Sequence, residues 1–328
     1  MRMDALAPAA VKHRIVLTGA TGGLGRALLA ELEARPDCSV LALVRDSSRL
    51  KLGATQFQIV GVDYADLKRL EQVVQDFQPT AFIHSAATGM QMPRPAWADM
   101  LECNVTLSVR LCELVARLPA CRFVFVSSGL AYRNQGRRLR EDDPLETLHP
   151  YAASKAAADL LVRAVAAGKA TPLTILRPFS FSGRGDMGTR LFPSLLQAAA
   201  EGRAFDLSAG EQVRDHCAVA DIARGVLLAA TRKAAPTTTA EIFNLGSGRM
   251  ESLRQLIEGV VAELNLQVKL NFGARPATQF EPRFLAADIS RAQAQLGWSP
   301  QVNFAHAIWE LAQASFPALK LRQPRQNL

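Results

Sequence analysis

The sequence predicts a doubly wound α/β fold: a parallel sheet covered on both faces by helices, with a smaller C-terminal α/β lobe that binds substrate. Three observations lead there. Short runs rich in β-branched residues or Phe recur at 14–18, 39–44, 57–60, 80–84, 122–127 and 172–177. Between most of them lie longer stretches with helical periodicity, among them ALLAELEA, residues 97–118 and ASKAAADLLVRAVAA. The strand runs are continuously apolar rather than alternating, the pattern of strands buried on both faces. Right-handed crossovers then give the strand order 3-2-1-4-5-6, with a ligand crevice at the switch point beside the first strand.

Taken in order, residues 1–13 read as a flexible extension, because MRMDALAPAAVKHR lacks the apolar segment of a secretory signal. The first strand, RIVL, runs directly into TGATGGLG and then into a helix. Gly19, Gly22 and Gly25, with Thr21, Gly23 and Leu24 between them, place backbone N–H groups and a helix N-terminus where a dinucleotide pyrophosphate binds. The spacing is G-x-x-G-x-x-G. After the second strand stands Arg45, then Asp46: the arginine is placed to meet the 2′-phosphate of NADP, whereas Asp46 on the ribose would mean NAD. Asp63 and Tyr64 follow the third strand, where a carboxylate can accept the adenine amino group.

Two candidate groups for chemistry come next. The fifth strand ends in Ser127 and Ser128, whose hydroxyls can hydrogen-bond a substrate oxygen or cap a turn. Tyr151 and Lys155 open an Ala-rich helix after Pro150 and share its face, so the ammonium, supplemented by the charge of an oxidised nicotinamide, is expected to lower the phenol pKa and make Tyr151 a general acid/base. From about residue 178 the rhythm breaks, with a Gly-rich loop, SGRGDMGTR. Residues 14–178, with later returning segments, are read as the dinucleotide-binding domain, 179–316 mainly as the substrate lobe, and 317–328 as a basic tail.

Composition narrows the classes. Hydrophobic residues make up 49% and charged ones 21%, which excludes disorder and a disulfide miniprotein. No apolar run reaches the roughly 18 residues of a membrane span. The five cysteines are scattered and never in a CxxC pair, so reduced thiols and a cytoplasmic location are expected, with no metal. The net charge of +8 concentrates modestly at 133–140 and 320–328 without interleaved aromatics, so a solvated basic surface is favoured over a nucleic-acid stripe. Asn104-Val105-Thr106 and Arg184-Gly185-Asp186 spell a sequon and an adhesion tripeptide by coincidence.

These motifs resemble those of the extended short-chain dehydrogenase/reductases, the group of nucleotide-sugar epimerases, dehydratases and ketoreductases. The resemblance runs from TGATGGLG through FIHSAA, Asn104, VSSGLAY, YAASK, ILRPF, RDHCAVADIARG, FNLGSG and LGWSP. It implies Ser128, Tyr151 and Lys155 as catalytic residues, Ala86, Asn104 and Pro178 beside the cofactor, and Ser180, Arg214 and Arg275 beside the substrate, the two arginines on its diphosphate. Ser-Ser-Gly replaces the dehydratases' Thr-Asp-Glu, which argues against dehydration. Arg133 stands for the usual Gly, Ala218 for the His and His216 for the Tyr of R-D-Y-I-H-V, and R-P-G-D is reduced to Arg275-Pro276-Ala277-Thr278.

The function expected is hydride transfer at a carbonyl or carbinol carbon of a nucleotide-linked sugar. A 4-ketoreductase using NADPH is preferred on account of Arg45; the alternatives are a 4-epimerase with tightly held NAD, a reductase of a small aldehyde or ketone, and a non-catalytic dinucleotide sensor. Helices 97–118 and 150–168 suggest a two-fold homodimer.

Overall fold

The computed structural model describes residues 11–50, 55–90, 95–186, 188–232, 240–277 and 281–328. The first ten residues of the expected extension, and Thr278, lie outside them. The chain forms β1 (His13–Thr18), α1 (Gly23–Glu33), β2 (Cys38–Val44), β3 (Phe57–Gly61), α2 (Leu67–Phe77), β4 (Ala81–His84), α3 (Trp97–Leu101), α4 (Leu107–Val115), β5 (Arg122–Val126), α5 (Pro150–Lys169) and β6 (Leu173–Pro178). It continues through β7 (Ser180–Ser182), α6 (Leu191–Ala200), β8 (Phe205–Leu207), β9 (Val213–Arg214), β10 (His216–Ala218), α7 (Val219–Thr231) and β11 (Glu241–Leu245). Last come β12 (Glu251–Ser252), α8 (Leu253–Leu264), β13 (Leu270–Phe272), β14 (Phe284–Leu285) and α9 (Phe304–Ser315).

The main sheet has the order β3-β2-β1-β4-β5-β6-β11, every pair parallel. The six expected strands thus stand in the expected order, and β11, from the FNLGSG segment, adds a seventh beside β6. The continuous apolar runs are explained by which face each residue meets. Ile15, Leu17, Val40, Ala42 and Val44 point into a core shared with α1 and α7. Val16, Leu41 and Leu43 point into the opposite core, under α2, α4 and α5. Period-2 alternation is present, but both faces are dry, so each position is apolar.

A third core joins α6, α8 and α9 through Phe192, Leu196, Ile257, Leu264, Ile308 and Leu311. The C-terminal segment was expected as a solvated basic tail, and most of its residues do remain at least partly exposed. Leu319 and Leu321 nevertheless pack on this core, and Arg322 donates to the carbonyls of Glu263 and Ala262 at the end of α8 (2.9 and 2.8 Å). A cation at a helix C-terminus satisfies carbonyls that the helix cannot, which holds the segment in place.

The helix expected over 97–118 is interrupted by one wide, π-type turn at Glu102–Thr106. Within this turn the Asn104 side chain accepts from Thr88 N–H (2.8 Å) and donates to the Thr88 carbonyl (2.9 Å) and Ser154 Oγ (2.8 Å), tying a loop and a second helix at once.

Candidate active site

The glycine loop leaves β1 at the sheet edge where ligands bind in this architecture. Gly19 has φ +79°, and a Cβ there would come within 2.6 Å of Ala86 N at the exit of β4. At Gly25 it would meet Gly19 O at 2.1 Å, so both positions require glycine. Gly22 opens α1 with no side-chain cap, and a Cβ on its neighbour Gly23 would come to 3.5 Å from Gly185 O. An 11-residue helix whose first N–H groups lack a side-chain cap is a fitting cradle for a pyrophosphate. Thr21 holds Arg26 through its carbonyl (3.2 Å).

At the end of β2, Arg45 is exposed and has no ion-pair partner among the described residues. The Asp46 carboxylate caps the following turn, accepting from Ser48 N–H (3.0 Å) and Ser48 Oγ (2.6 Å). Asp63 accepts from Ala65 N–H (2.9 Å), and Tyr64 donates to the Leu43 carbonyl (2.9 Å). Both expected adenine-side residues therefore have local partners.

One cleft of about 1380 Å³ runs from Gly19, Gly22, Gly23, Leu24 and Gly25, past Ser127, Ser128, Tyr151, Lys155, Pro178 and Ser180, to Arg214 and Arg275. The structure thus brings the three expected groups, from distant parts of the sequence, onto one surface. Arg45, Asp63, Tyr64, Thr21, Ala86 and Asn104 are not among its lining residues. Asn104 is fully buried, its side chain occupied by the bonds to Thr88 and Ser154.

Tyr151, Lys155 and Asp159 follow one another on a face of α5. Lys155 is 1% exposed, with Nζ 4.3 Å above the Phe125 ring. Burial pulls its pKa down to about 8, against the opposing pull of Cys103 and Asp159. Burial pushes Tyr151 up to about 12, opposed by the charge of Arg190 and a hydrogen bond with Ser128. The expectation that Lys155 lowers the Tyr151 pKa is corrected here: desolvation of the phenolate outweighs every favourable charge, and Arg190 is the cation that acts on it. Ser128 Oγ also accepts from Leu130 N–H (3.2 Å), so it is both a turn cap and a partner of Tyr151.

Arg190 is the residue that the sequence reading missed. It closes the Gly-rich loop, paired to Asp186 (2.8 Å) and donating to the Phe181 carbonyl (2.6 Å). Asp186 and Arg190 four apart in a loop with glycines at 183, 185 and 188 was the available signal.

At the far end, Arg214 is 7% exposed and paired to Glu281 (2.7 Å), and burial lowers its pKa. The exposed Arg275 has its backbone N–H on the Leu207 carbonyl (3.0 Å). The later sequence motifs prove to be struts. Asp215 accepts from Gly248 N–H (3.0 Å) and Ala287 N–H (3.1 Å). Asp221 accepts from Gln301 and Val302 N–H, while Trp298 donates to its carbonyl (2.8 Å). Tyr132 donates to Asn244 (2.7 Å) and accepts from Arg177 (2.8 Å). In the 133–140 cluster, Arg137 and Arg140 pair with Asp143 and Asp288, and Arg133 with Glu146. Three of the arginines in this cluster thus have acidic partners within the fold.

A parallel sheet, a glycine loop at its first strand and a Ser–Tyr–Lys group in the same cleft define an α/β enzyme dependent on a nicotinamide dinucleotide. The family model described as NAD dependent epimerase/dehydratase family matches residues 15–246, and the chain belongs to that family. It is 29% identical over 95% of its length, and 99% of the relative's, to dTDP-6-deoxy-L-talose 4-dehydrogenase (NAD(P)(+)) of Kitasatospora kifunensis. UDP-glucose 4-epimerase of Corynebacterium glutamicum is 26% identical over 93% of this chain and 96% of its own. Among solved structures, MoeE5 in complex with UDP-glucose and NAD superposes with a TM-score of 0.80 at 25% identity, covering 93% of this chain and 99% of that one.

Proposed function

We propose that the protein is an NADPH-dependent 4-ketoreductase of a nucleotide-linked sugar. The observation that carries this is the single cleft joining the glycine loop, the Ser128–Tyr151–Lys155 group and the Arg214–Arg275 end. The glycine cradle and Lys155 would hold the dinucleotide, which supplies hydride-transfer chemistry when bound. Arg45 would take the 2′-phosphate, since Asp46 is engaged with Ser48.

At the reacting carbon, Ser128 orients the substrate oxygen and Tyr151 gives it a proton. A phenol pushed up to about 12 is neutral at physiological pH, so the resting site holds the proton that a ketone oxygen requires. Lys155, near 8, is mostly charged there and stabilises the phenolate as it forms. Arg214 and Arg275 would meet the diphosphate, Arg214 exchanging Glu281 for a phosphate oxygen.

The purified protein is expected to consume NADPH with a 4-keto sugar nucleotide and to form no epimer without added cofactor. Epimer formation by the protein as isolated, with no NADPH consumed, would instead support an epimerase with retained NAD; UDP-glucose 4-epimerase is the name of one relative.

The proposal includes a homodimer in the cytoplasm. Trp97 and Leu101 on α3 and Leu160 and Leu161 on the adjoining α5 are 45–54% exposed, an apolar surface fit for a second copy. Leu160→Asp is expected to convert the dimer to a monomer by light scattering; a monomeric wild type would remove this part. All five cysteines are free thiols, in keeping with a reducing compartment.

A further inference from the structure

His216 stands where the family pattern has tyrosine, and nothing above gives it a task. It pairs with Ser180 across β7 and β10 and lines the cleft together with Arg190 and Arg214. Its ring is held by edge and tilted contacts with Phe192 (5.9 Å) and Phe304 (5.6 Å). Its Nδ1 is buried without a hydrogen-bond partner among the described residues. A native fold rarely leaves such an atom unpaired unless water, an ion or a ligand serves it, or it stores strain.

The charges around the ring come from several elements. Arg214, two residues before it, and Arg190, from the loop ahead of α6, both disfavour the imidazolium, and with burial as the larger cause its pKa falls to about 3. Glu281 and Asp186 hold these two arginines. Arg249, Glu251 and Glu263 line a small cavity on which His216 also borders, and Phe192 and Phe304 bring no charge. The ring is thus neutral among cations.

We propose that His216 is a ligand of the substrate's diphosphate, and that binding this dianion is coupled to proton uptake by its ring. The inference rests on the nucleotide-sugar reading. Two phosphate charges brought to Arg214 offset the field of the two arginines at His216 and, working against the cost of burial, favour an imidazolium that gives an N–H to a phosphate oxygen. By linkage, affinity then rises as pH falls below the pKa of the bound state, approaching about tenfold per pH unit. A tyrosine in this place would supply a hydroxyl but no such coupling.

The test is calorimetric titration of the NADP⁺-loaded protein with UDP-glucose and dTDP-glucose, between about pH 5.5 and 8, in buffers of differing ionisation enthalpy. Both probes are diphosphate diesters of fixed charge in this range, so any proton taken up belongs to the protein or to the 2′-phosphate of the bound NADP⁺, which the His216 variants separate. Wild type is expected to take up a substantial fraction of one proton near pH 6 and to bind several-fold more tightly there than near pH 8. His216→Gln and His216→Phe, the second of which keeps the aromatic packing, are expected to lose both effects. Tight binding without uptake in wild type, or uptake that survives in the variants and so belongs to another group of the protein or to the cofactor's 2′-phosphate, overturns the role of His216 and leaves the nucleotide-sugar reading standing. If neither probe binds at any pH, both fall.

Discussion

Asp46 turns its carboxylate into the chain beyond it, accepting both the N–H and the hydroxyl of Ser48 at 3.0 and 2.6 Å. These bonds hold its carboxyl below the usual range and leave Arg45, at the end of β2, without an ion-pair partner among the described residues. Arg45→Ala is therefore expected to raise the KM for NADPH about 10- to 100-fold, the worth of one charged hydrogen bond, and to change that for NADH little. Initial rates with both cofactors check this; an equal loss with both would mean that Arg45 does not read the 2′-phosphate.

The pH profile follows from Lys155. A lysine lowered from 10.5 to about 8 is charged below that value and neutral above it, whereas Tyr151 stays protonated to about 12. For ketone reduction, kcat/KM is expected to be level up to about pH 7.5 and to fall beyond about pH 8. Lys155→Met is expected to flatten the profile at a rate lower by about 10²-fold or more. A descending limb that survives this substitution would assign it to another group.

Arg177 and Asp159 form a bidentate pair at 2.9 and 3.0 Å, 1% and 0% exposed. The same guanidinium supports the Tyr132 hydroxyl and the Glu141 carbonyl. Asp159→Ala leaves a buried cation without its partner and is expected to cost about 3–5 kcal/mol in urea unfolding. A loss below about 1 kcal/mol would show that the pair is not needed to hold α5 against β6.

His84 links β1 to the helix layer: its Nδ1 shares a hydrogen bond with Thr18 Oγ1 (2.7 Å) and its Nε2 with Ser108 Oγ (2.9 Å). Since Ser108 donates onward to the Asn104 carbonyl (2.7 Å), the proton of the ring sits on Nε2. Burial lowers the pKa of His84 to about 3. Its contribution is thus complete above the unfolded value of about 6.5 and is lost as pH falls toward 3, at up to about 1.4 kcal/mol per unit. The urea midpoint of wild type is expected to fall through this window, and less steeply in His84→Gln; identical slopes would exclude His84.

The glycine loop, Ser128, Tyr151 and Lys155 were legible because each is a local signal: a turn that tolerates no Cβ, a strand end, two residues one helical turn apart. β11 was harder to place, because its partner β6 lies more than sixty residues earlier and the chain between them builds the lobe. Arg190 and the pairing of Arg214 with Glu281 are tertiary meetings with no fixed spacing. The same holds for Tyr151: the Lys155 spacing was visible, but the burial that sets the phenol's pKa belongs to the assembled cleft.

The central claim, one-way reduction at a sugar carbon, is tested most directly by supplying NADPH deuterated on its reactive face with a dTDP-linked 4-keto sugar and weighing the product. A ketoreductase gives a 4-hydroxy sugar nucleotide carrying one deuterium for each NADP⁺ formed, and Tyr151→Phe gives almost none. Unlabelled product formed without net oxidation of NADPH would contradict the account.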